Sequence, residues 1–341
     1  MRRSEKLRRS QIARAGRRRE AERKAGRGRK LLLVFAVLLF AAGAGLMLVP
    51  FAEEFISARK GERQIAVFRE REYGNGETDA AGPEEGGSEE EGDEKSSHSE
   101  LLEQMQEYNR KIYENGQQDL KDAWSYEQTV FEFTDTGLDE EMIGYITIPA
   151  MDLELPLYIG ADEENLSKGA AVLGQTSMPI GGSDTNCVIA AHRGYGGAPM
   201  FREIENLEPG DRVEITNLWE TLSYVVEKSI VIAPDDIEAV KILEGRDMVT
   251  LVTCHPYTEN YQRHVVYCRR EDGQENAESD MQEIPFSGIE YQSSVSRIRK
   301  ERMLNAGGAV LFAGLGAGGL IWGLAAGKSG KKKRTGAKRR H

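Results

Sequence analysis

Asp247-Met248-Val249-Thr250-Leu251-Val252-Thr253-Cys254-His255-Pro256-Tyr257 is the stretch from which the rest of the chain can be read. Asp247 to Thr253 is rich in β-branched residues, which is the composition of a buried strand. Cys254 stands at its end, and Pro256, which cannot donate to a sheet ladder, stops it two residues later. A thiol at a strand tip is held by the sheet yet open to a cleft. Arg263 lies nine residues further on, where a returning strand, His264 to Arg269, begins. By itself the pattern fits a buried structural cysteine just as well.

Working outward, the same alternation recurs. Tyr145 to Ile148 and Leu153 to Tyr158 are short β runs, followed by Ala171 to Leu173, Asn186 to Ala191, Arg212 to Thr216 and Ser223 to Ile232. With the two runs around Cys254 this makes eight short strands in about 130 residues, the pattern of a closed or nearly closed β-barrel. Glu163 to Lys168 reads as a helical turn, and Pro199 to Leu207 and Asp236 to Leu243 as short helical inserts. The fold class is mainly β: an eight-stranded barrel over residues 142–271 with short helices.

The flanks differ in character. Residues 1–30 hold 14 Lys and Arg against 3 acids, and residues 328–341 hold 8 Lys and Arg with no acid. The remainder carries 23 basic and 53 acidic residues, so the formal net charge of −11 hides basic ends around an acidic middle. That balance argues against nucleic acid as a partner of the folded part, since such binding relies on basic patches. Leu31 to Ala52 is uncharged over 22 residues, and Met303 to Gly327 over 25. Each is long enough to span a bilayer. The basic flank puts residues 1–30 in the cytoplasm by the positive-inside rule. An uncleaved anchor fits the length of the first run better than a signal peptide does.

The chain therefore divides into a basic cytoplasmic tail (1–30), a transmembrane helix (31–52), a membrane-proximal segment with an acidic disordered linker (53–100), and a helical extension (101–141). The barrel (142–271), a polar membrane-proximal linker (272–302), a second transmembrane helix (303–327) and a basic cytoplasmic tail (328–341) follow. On this reading the protein sits in the cell membrane with residues 53–302 outside.

Candidate partners for Cys254 are the histidines of the middle region. His98 falls in the linker and reads as solvated. His255 adjoins Cys254, and neighbours on an extended chain point apart. His264 begins the last strand; it and Arg193, which follows His192, read as structural or surface neighbours. His192 ends the apolar run Cys187-Val188-Ile189-Ala190-Ala191 and opens a Gly-rich loop, so it is a second strand-tip residue of the type that makes a Cys–His nucleophile. Cys187 and Cys268 lie in apolar strand-like runs and read as buried thiols. No metal or cofactor is expected.

Thr250-Leu251-Val252-Thr253-Cys254 resembles the TLxTC signature of sortases, the cysteine transpeptidases of the Gram-positive cell wall. Arg263 falls where that family has its active-site arginine, and Ala191-His192-Arg193-Gly194 resembles its histidine motif. Gly144 to Pro149, Leu155 to Tyr158, Gly174 to Ser177, Pro179 to Gly182 and Phe201 through Asp211 also follow the family pattern. The likeness covers about residues 108–270. The two apolar spans and the extension resemble class C, the pilin-polymerising branch, which carries a lid with an Asp-Pro-aromatic motif. Asp122-Ala123-Trp124 stands in that place, with alanine for the proline.

The resemblance implies Cys254 as nucleophile, His192 as general acid and base, Arg263 as donor to the oxyanion, and Asp122 and Trp124 as lid residues. It implies cleavage of an LPxTG-like sorting signal through a thioacyl intermediate. Transfer would go to an amine, a pilin lysine in pilus assembly. Attachment of surface proteins to a cell-wall precursor amine is the neighbouring function, and a non-catalytic membrane scaffold with a sortase-like barrel is the third.

Overall fold

The computed structural model describes residues 55–74, 89–125, 142–271 and 283–304, with scattered positions in 14–52 and 307–308. The chain divides into two compact units, Phe51–Lys300 and a second made of Met1–Pro50 with Glu301–His341. In the second unit the described positions are helical. No described helix is long and apolar enough to cross a membrane. Half of the expected span 31–52 and most of 303–327 lie outside the described residues, as do the acidic stretch 75–88, the end of the extension (126–141) and the start of the polar linker (272–282).

Phe51–Lys300 is built on a closed eight-stranded barrel. Its strands are β1 (Met142–Ile148), β2 (Leu153–Ile159), β3 (Ala170–Val172), β4 (Thr185–Ala190), β5 (Arg212–Asn217), β6 (Thr221–Ile232), β7 (Asp247–His255) and β8 (Gln262–Arg270). Around the barrel they run β1-β2-β3-β4-β7-β8-β6-β5. Two neighbour pairs, β2–β3 and β4–β7, are parallel; the others are antiparallel. All eight strands match runs legible in the sequence. β7, however, continues through His255, so Cys254 lies within the strand and not at its tip.

The composition of β7 follows from its position. It is flanked on both edges, and from Met248 onward every residue is buried. Val249 and Leu251 point into one apolar cluster, with Ile146, Ile189, Val266 and Cys268. Met248 and Val252 point into another, with Val188, Ala190, Val265 and Tyr267. A strand covered on both faces needs apolar residues at successive positions instead of strict alternation. Each buried Val, Leu or Ile contributes about 1.5–3 kcal/mol relative to exposure.

Helices sit around this frame. Residues 55–73 form α1, Glu89–Glu114 α2, Glu163–Lys168 α3 and residues 295–304 α4. α1 lays Ile65 and Phe68 into the first cluster, and Leu101 and Met105 of α2 join them. α2 begins at Glu89, so residues 89–100 of the expected disordered linker are helical instead. The Glu and Lys that make this stretch hydrophilic are also good helix formers. His98 is accordingly not a solvated linker residue. It is half-buried, with its Nδ1 3.6 Å from a Glu72 carboxylate oxygen, and its carbonyl accepts a 3.2 Å bond from Trp219 Nε1.

Residues 283–294, expected as part of a linker, lie along β6 as a strap. Ile289 N–H donates to the Val231 carbonyl at 2.8 Å, and Lys228 Nζ donates to the carbonyls of Ile284 and Phe286 at 3.0 and 2.9 Å. Ile284 is buried in the second cluster, and Phe286 stacks on Tyr267. Two apolar residues among polar ones carry too little periodicity to mark this docking in the sequence.

Barrel closure sets a tight steric limit at Gly144, where β1 passes β5. A Cβ there would fall 1.9 Å from the Thr216 carbonyl oxygen and 2.9 Å from Asn217 Cα. These are backbone atoms, so relief requires the strands to part. Overpacking of this kind costs about 2 kcal/mol, and Gly144→Ala is expected to lower Tm by about 4–8 °C in thermal unfolding. An unchanged Tm would show that the two strands do not approach this closely.

Candidate active site

Three strands deliver the site. β7 and β8 pair in a register that sets Cys254 directly opposite Arg263. β4 runs parallel to β7 on its other edge, and the chain leaves β4 through Ala191 into His192. Two bonds fix that exit: Ala191 N–H donates to the Val252 carbonyl at 3.2 Å, and Thr253 Oγ1 donates to the Ala191 carbonyl at 2.7 Å. The His192 carbonyl accepts from Phe201 N–H at 3.0 Å, which ties down the far side of the loop. Cys254, His192 and Arg263 therefore come from adjacent strands at one end of the barrel.

The Asp122-Ala123-Trp124 segment lies against this group. Asp122 accepts two bonds from Arg263, Nε to Oδ1 and Nη2 to Oδ2, both 2.7 Å. This is the bidentate geometry for which a guanidinium is suited. The third nitrogen, Nη1, donates to the carbonyls of Asn260 and Gln262 at 3.1 and 2.9 Å. The Arg263 guanidinium also sits 4.7 Å from the centroid of the Trp124 ring, in cation–π range. Trp124 Nε1 donates toward His192 Nδ1 at 3.5 Å. Tyr195 stacks on the His192 imidazole, with centroids 4.7 Å apart and planes inclined by 15°.

The segment is a single 3-10 turn, Ala123–Ser125. Asp122 organises it as well as binding Arg263. Its Oδ2 accepts from Trp124 N–H at 3.3 Å, and its carbonyl accepts from Ser125 N–H and Oγ at 3.0 and 2.8 Å. Ala123 is buried beside Leu120 in the second cluster. The turn is thus held by capping bonds and burial where a proline would have restricted the backbone directly.

Enclosure changes the chemistry. Cys254 is 6% exposed, and burial pushes its thiol up to about 11, with Arg263 pulling the other way and Asp122 reinforcing the rise. Burial lowers the imidazolium stability of His192. Near neutral pH both groups are uncharged in this arrangement. Cys187 and Cys268 are free and fully buried, each displaced upward by burial, and are inert thiols.

Of the two readings open for Arg193 and His264, structural or surface, burial selects the first. Arg193 is buried and ion-paired with Glu205, and His264 is buried with its Nε2 2.8 Å from Ser229 Oγ. Burial, with Arg193 nearby, brings His264 down to about 3, so it is neutral and structural. Tyr195 and Glu205 went unrecognised, since nothing in an isolated Tyr or in Arg202-Glu203-Ile204-Glu205 marks a site partner. Among the described residues no group of three or more His, Cys, Asp or Glu could hold a metal ion.

The Sortase domain family model matches residues 146–271. Sortase A of Bacillus anthracis is 30% identical over 166 residues, which are 48% of this chain and 77% of that protein. The chain belongs to the sortase family. Sortases are cysteine transpeptidases, and this chain is one by membership. Sortase A of Streptococcus agalactiae serotype III is 27% identical over 117 residues, 33% of this chain and about half, 47%, of that protein. Among solved structures, sortase C1 of GBS pilus island 1 is 36% identical, covering 53% of this chain and 92% of that one at a TM-score of 0.48. Sortase C from Clostridium perfringens SM101 is 28% identical, covering 62% and 99% at 0.47.

Hydrogen bonds to charged groups contribute about 1.5–3 kcal/mol each, so the two from Arg263 to Asp122 favour the closed arrangement by at least about 3 kcal/mol, or roughly a hundredfold. Trp124→Ala and Asp122→Ala are each expected to speed alkylation of Cys254 by about tenfold or more on that reckoning. The pH midpoint of alkylation should also fall below its value of about 11 in the unaltered protein. Rates and midpoints that match the unaltered protein would show that the segment does not restrict the thiol.

Proposed function

We propose that this sortase is of the pilin-polymerising class C type: a membrane-anchored enzyme that cleaves an LPxTG-like sorting signal and passes the acyl group to a pilin lysine. The observation that carries this reading is the bidentate grip of Asp122 on Arg263 with Trp124 set on His192. A lid of this kind belongs to the branch that the sequence resembles, and its two anchoring residues are in contact with two of the three proposed catalytic groups.

In the proposed reaction the Cys254 thiolate attacks the carbonyl carbon of the sorting-signal threonine. Arg263 donates to the oxyanion as it forms, a task for a cation that does not titrate near neutrality. The carbon–nitrogen bond to the next residue breaks, and His192 gives its proton to the departing amine. The product is a thioester on Cys254. An incoming lysine amine attacks the thioester carbon, His192 takes the proton, and the thiolate leaves as the new amide forms. In the structure all three Arg263 nitrogens are engaged, two by Asp122. Asp122 must therefore withdraw before Arg263 can serve the substrate. Withdrawal also hydrates Cys254 and His192 and removes a carboxylate from the thiol, and each of these changes favours the charged pair.

The apolar runs 31–52 and 303–327 support two transmembrane helices with both tails cytoplasmic and the barrel outside. An alkaline phosphatase fusion within residues 75–88 is expected to be active, and an inactive one would reverse the topology. For the chemistry, the detergent-solubilised full chain is incubated with an LPxTG peptide and either a pilin lysine or a peptidoglycan-type amine. A thioacyl adduct is expected by mass spectrometry, absent in Cys254→Ala, with transfer to the lysine. Preference for the peptidoglycan-type amine would make the enzyme a cell-wall-anchoring one, and no adduct at all would leave the barrel a scaffold.

A further inference from the structure

Behind Cys254, on the face of β7 opposite to the thiol, lies a buried polar circuit that the proposed chemistry does not use. Arg193 is its centre. It follows His192 in the chain, and its side chain reaches across to the nucleophile strand. Nη1 lies 2.7 Å from His255 Nδ1 and donates to the Cys254 carbonyl at 3.4 Å. Arginine is only a donor, so the His255 Nδ1 accepts. Burial, together with the Arg193 charge, keeps that imidazole neutral and able to do so. Nη2 is paired with Glu205, on the 3-10 turn Met200–Asn206.

Glu205 in turn faces the strap. Its carboxylate accepts from Ser293 Oγ at 2.6 Å and from Ser294 N–H at 3.0–3.1 Å. Burial works against the Glu205 charge, but these donors and Arg193 prevail and hold its carboxyl below the usual range. Ser294 Oγ accepts from Tyr257 N–H at 3.0 Å, just past the end of β7. Tyr291 sets the edge of its ring against His255 and His264, at 5.0 and 6.1 Å between centroids. Four segments that are distant in sequence, the His192 loop, the end of β7, the 3-10 turn and the strap, thus meet on one ion pair.

A buried ion pair is a weak source of net stability, because desolvation offsets most of the attraction. What it supplies is fixed geometry. Arg193 is the one residue here that is bonded to the Cys254 backbone and covalently joined to His192. Misplacement by about 1 Å can cost a factor of about a hundred in rate.

We propose that Arg193 is a positioning residue that sets His192 against Cys254, and that the strap, acting through Glu205, keeps Arg193 in place. This rests on the assignment of Cys254 and His192 made above. Arg193 itself does no chemistry on the substrate. The strap then belongs to the catalytic unit and is more than a tether.

The test separates a step that needs His192 from one that does not. In the detergent-solubilised full chain carrying Trp124→Ala, thioacylation by an LPxTG peptide is followed by mass spectrometry, and alkylation of Cys254 by iodoacetamide is followed alongside. Arg193→Met is expected to slow thioacylation at saturating peptide by about thirtyfold or more, with KM and the alkylation rate each changed by less than about threefold. Glu205→Gln should show the same split to a smaller degree. Arg193→Lys, which keeps the charge beside Glu205 but not the fork, should recover part of the rate. Unchanged thioacylation in Arg193→Met would overturn the proposal. So would a parallel loss of thioacylation and alkylation with a lowered Tm, which would make Arg193 a structural residue only. Thioacylation that persists in Cys254→Ala would instead refute the catalytic assignment, a separate failure.

Discussion

Everything at this site depends on β7 having a partner on each edge. Its antiparallel register with β8 sets Arg263 opposite Cys254, and its parallel register with β4 brings His192 alongside. No flexible loop has to search for either neighbour. Sheet hydrogen bonds fix Arg263 and the point at which the chain enters His192, and the apolar residues that bury β7 on two faces fix the sheet. A slip of one residue would turn Cys254 to the opposite face, because strand side chains alternate. The proposed nucleophile is thus as well placed as the core is packed.

On this rigid frame rests a small, separable piece. The Ala123–Ser125 turn meets the catalytic group through the side chains of Asp122, on Arg263, and Trp124, on His192 and Arg263, while Ala123 is buried in the second cluster. The frame supplies position and the turn supplies access. Opening the turn breaks side-chain bonds and exposes Ala123, but no bond of the sheet ladder. Local opening of this sort draws on the weakest part of a structure and leaves the strongest intact. The ion pair of Arg193 and Glu205 lies on the frame side of that division, and so does the strap that caps it.

The sequence was most legible where one physical signal dominated. Eight apolar runs of the right length gave eight strands, and Pro256 marked the end of β7. Cys254, His192 and Arg263 were singled out by their likeness to family motifs, and the strand registers bring all three to one end of the barrel. The misses share a cause. His98 and Glu205 are polar residues that became buried through partners far away in the chain, Glu72 for His98 and Ser294 for Glu205. Neither composition nor periodicity encodes such pairing. The strap escaped notice because its docking uses backbone groups and the carbonyls that receive Lys228, which look alike in every sequence. The helical start of α2 was hidden by its acidity, which reads equally as solvation and as helix propensity.

The closed turn also bears on how long such an enzyme lasts. Oxidants such as peroxides attack the thiolate, and they need access to it. Cys254 is nearly inaccessible under Asp122 and Trp124, and it is held protonated there. Sulfenic acid formation, the reversible step that precedes irreversible sulfinic and sulfonic acids, is therefore slow for as long as no substrate is engaged. Cys187 and Cys268 are buried in the core, too remote from the surface to offer a resolving disulfide. On the proposed assignment, a nucleophile with no neighbouring thiol to rescue it survives by being covered between turnovers.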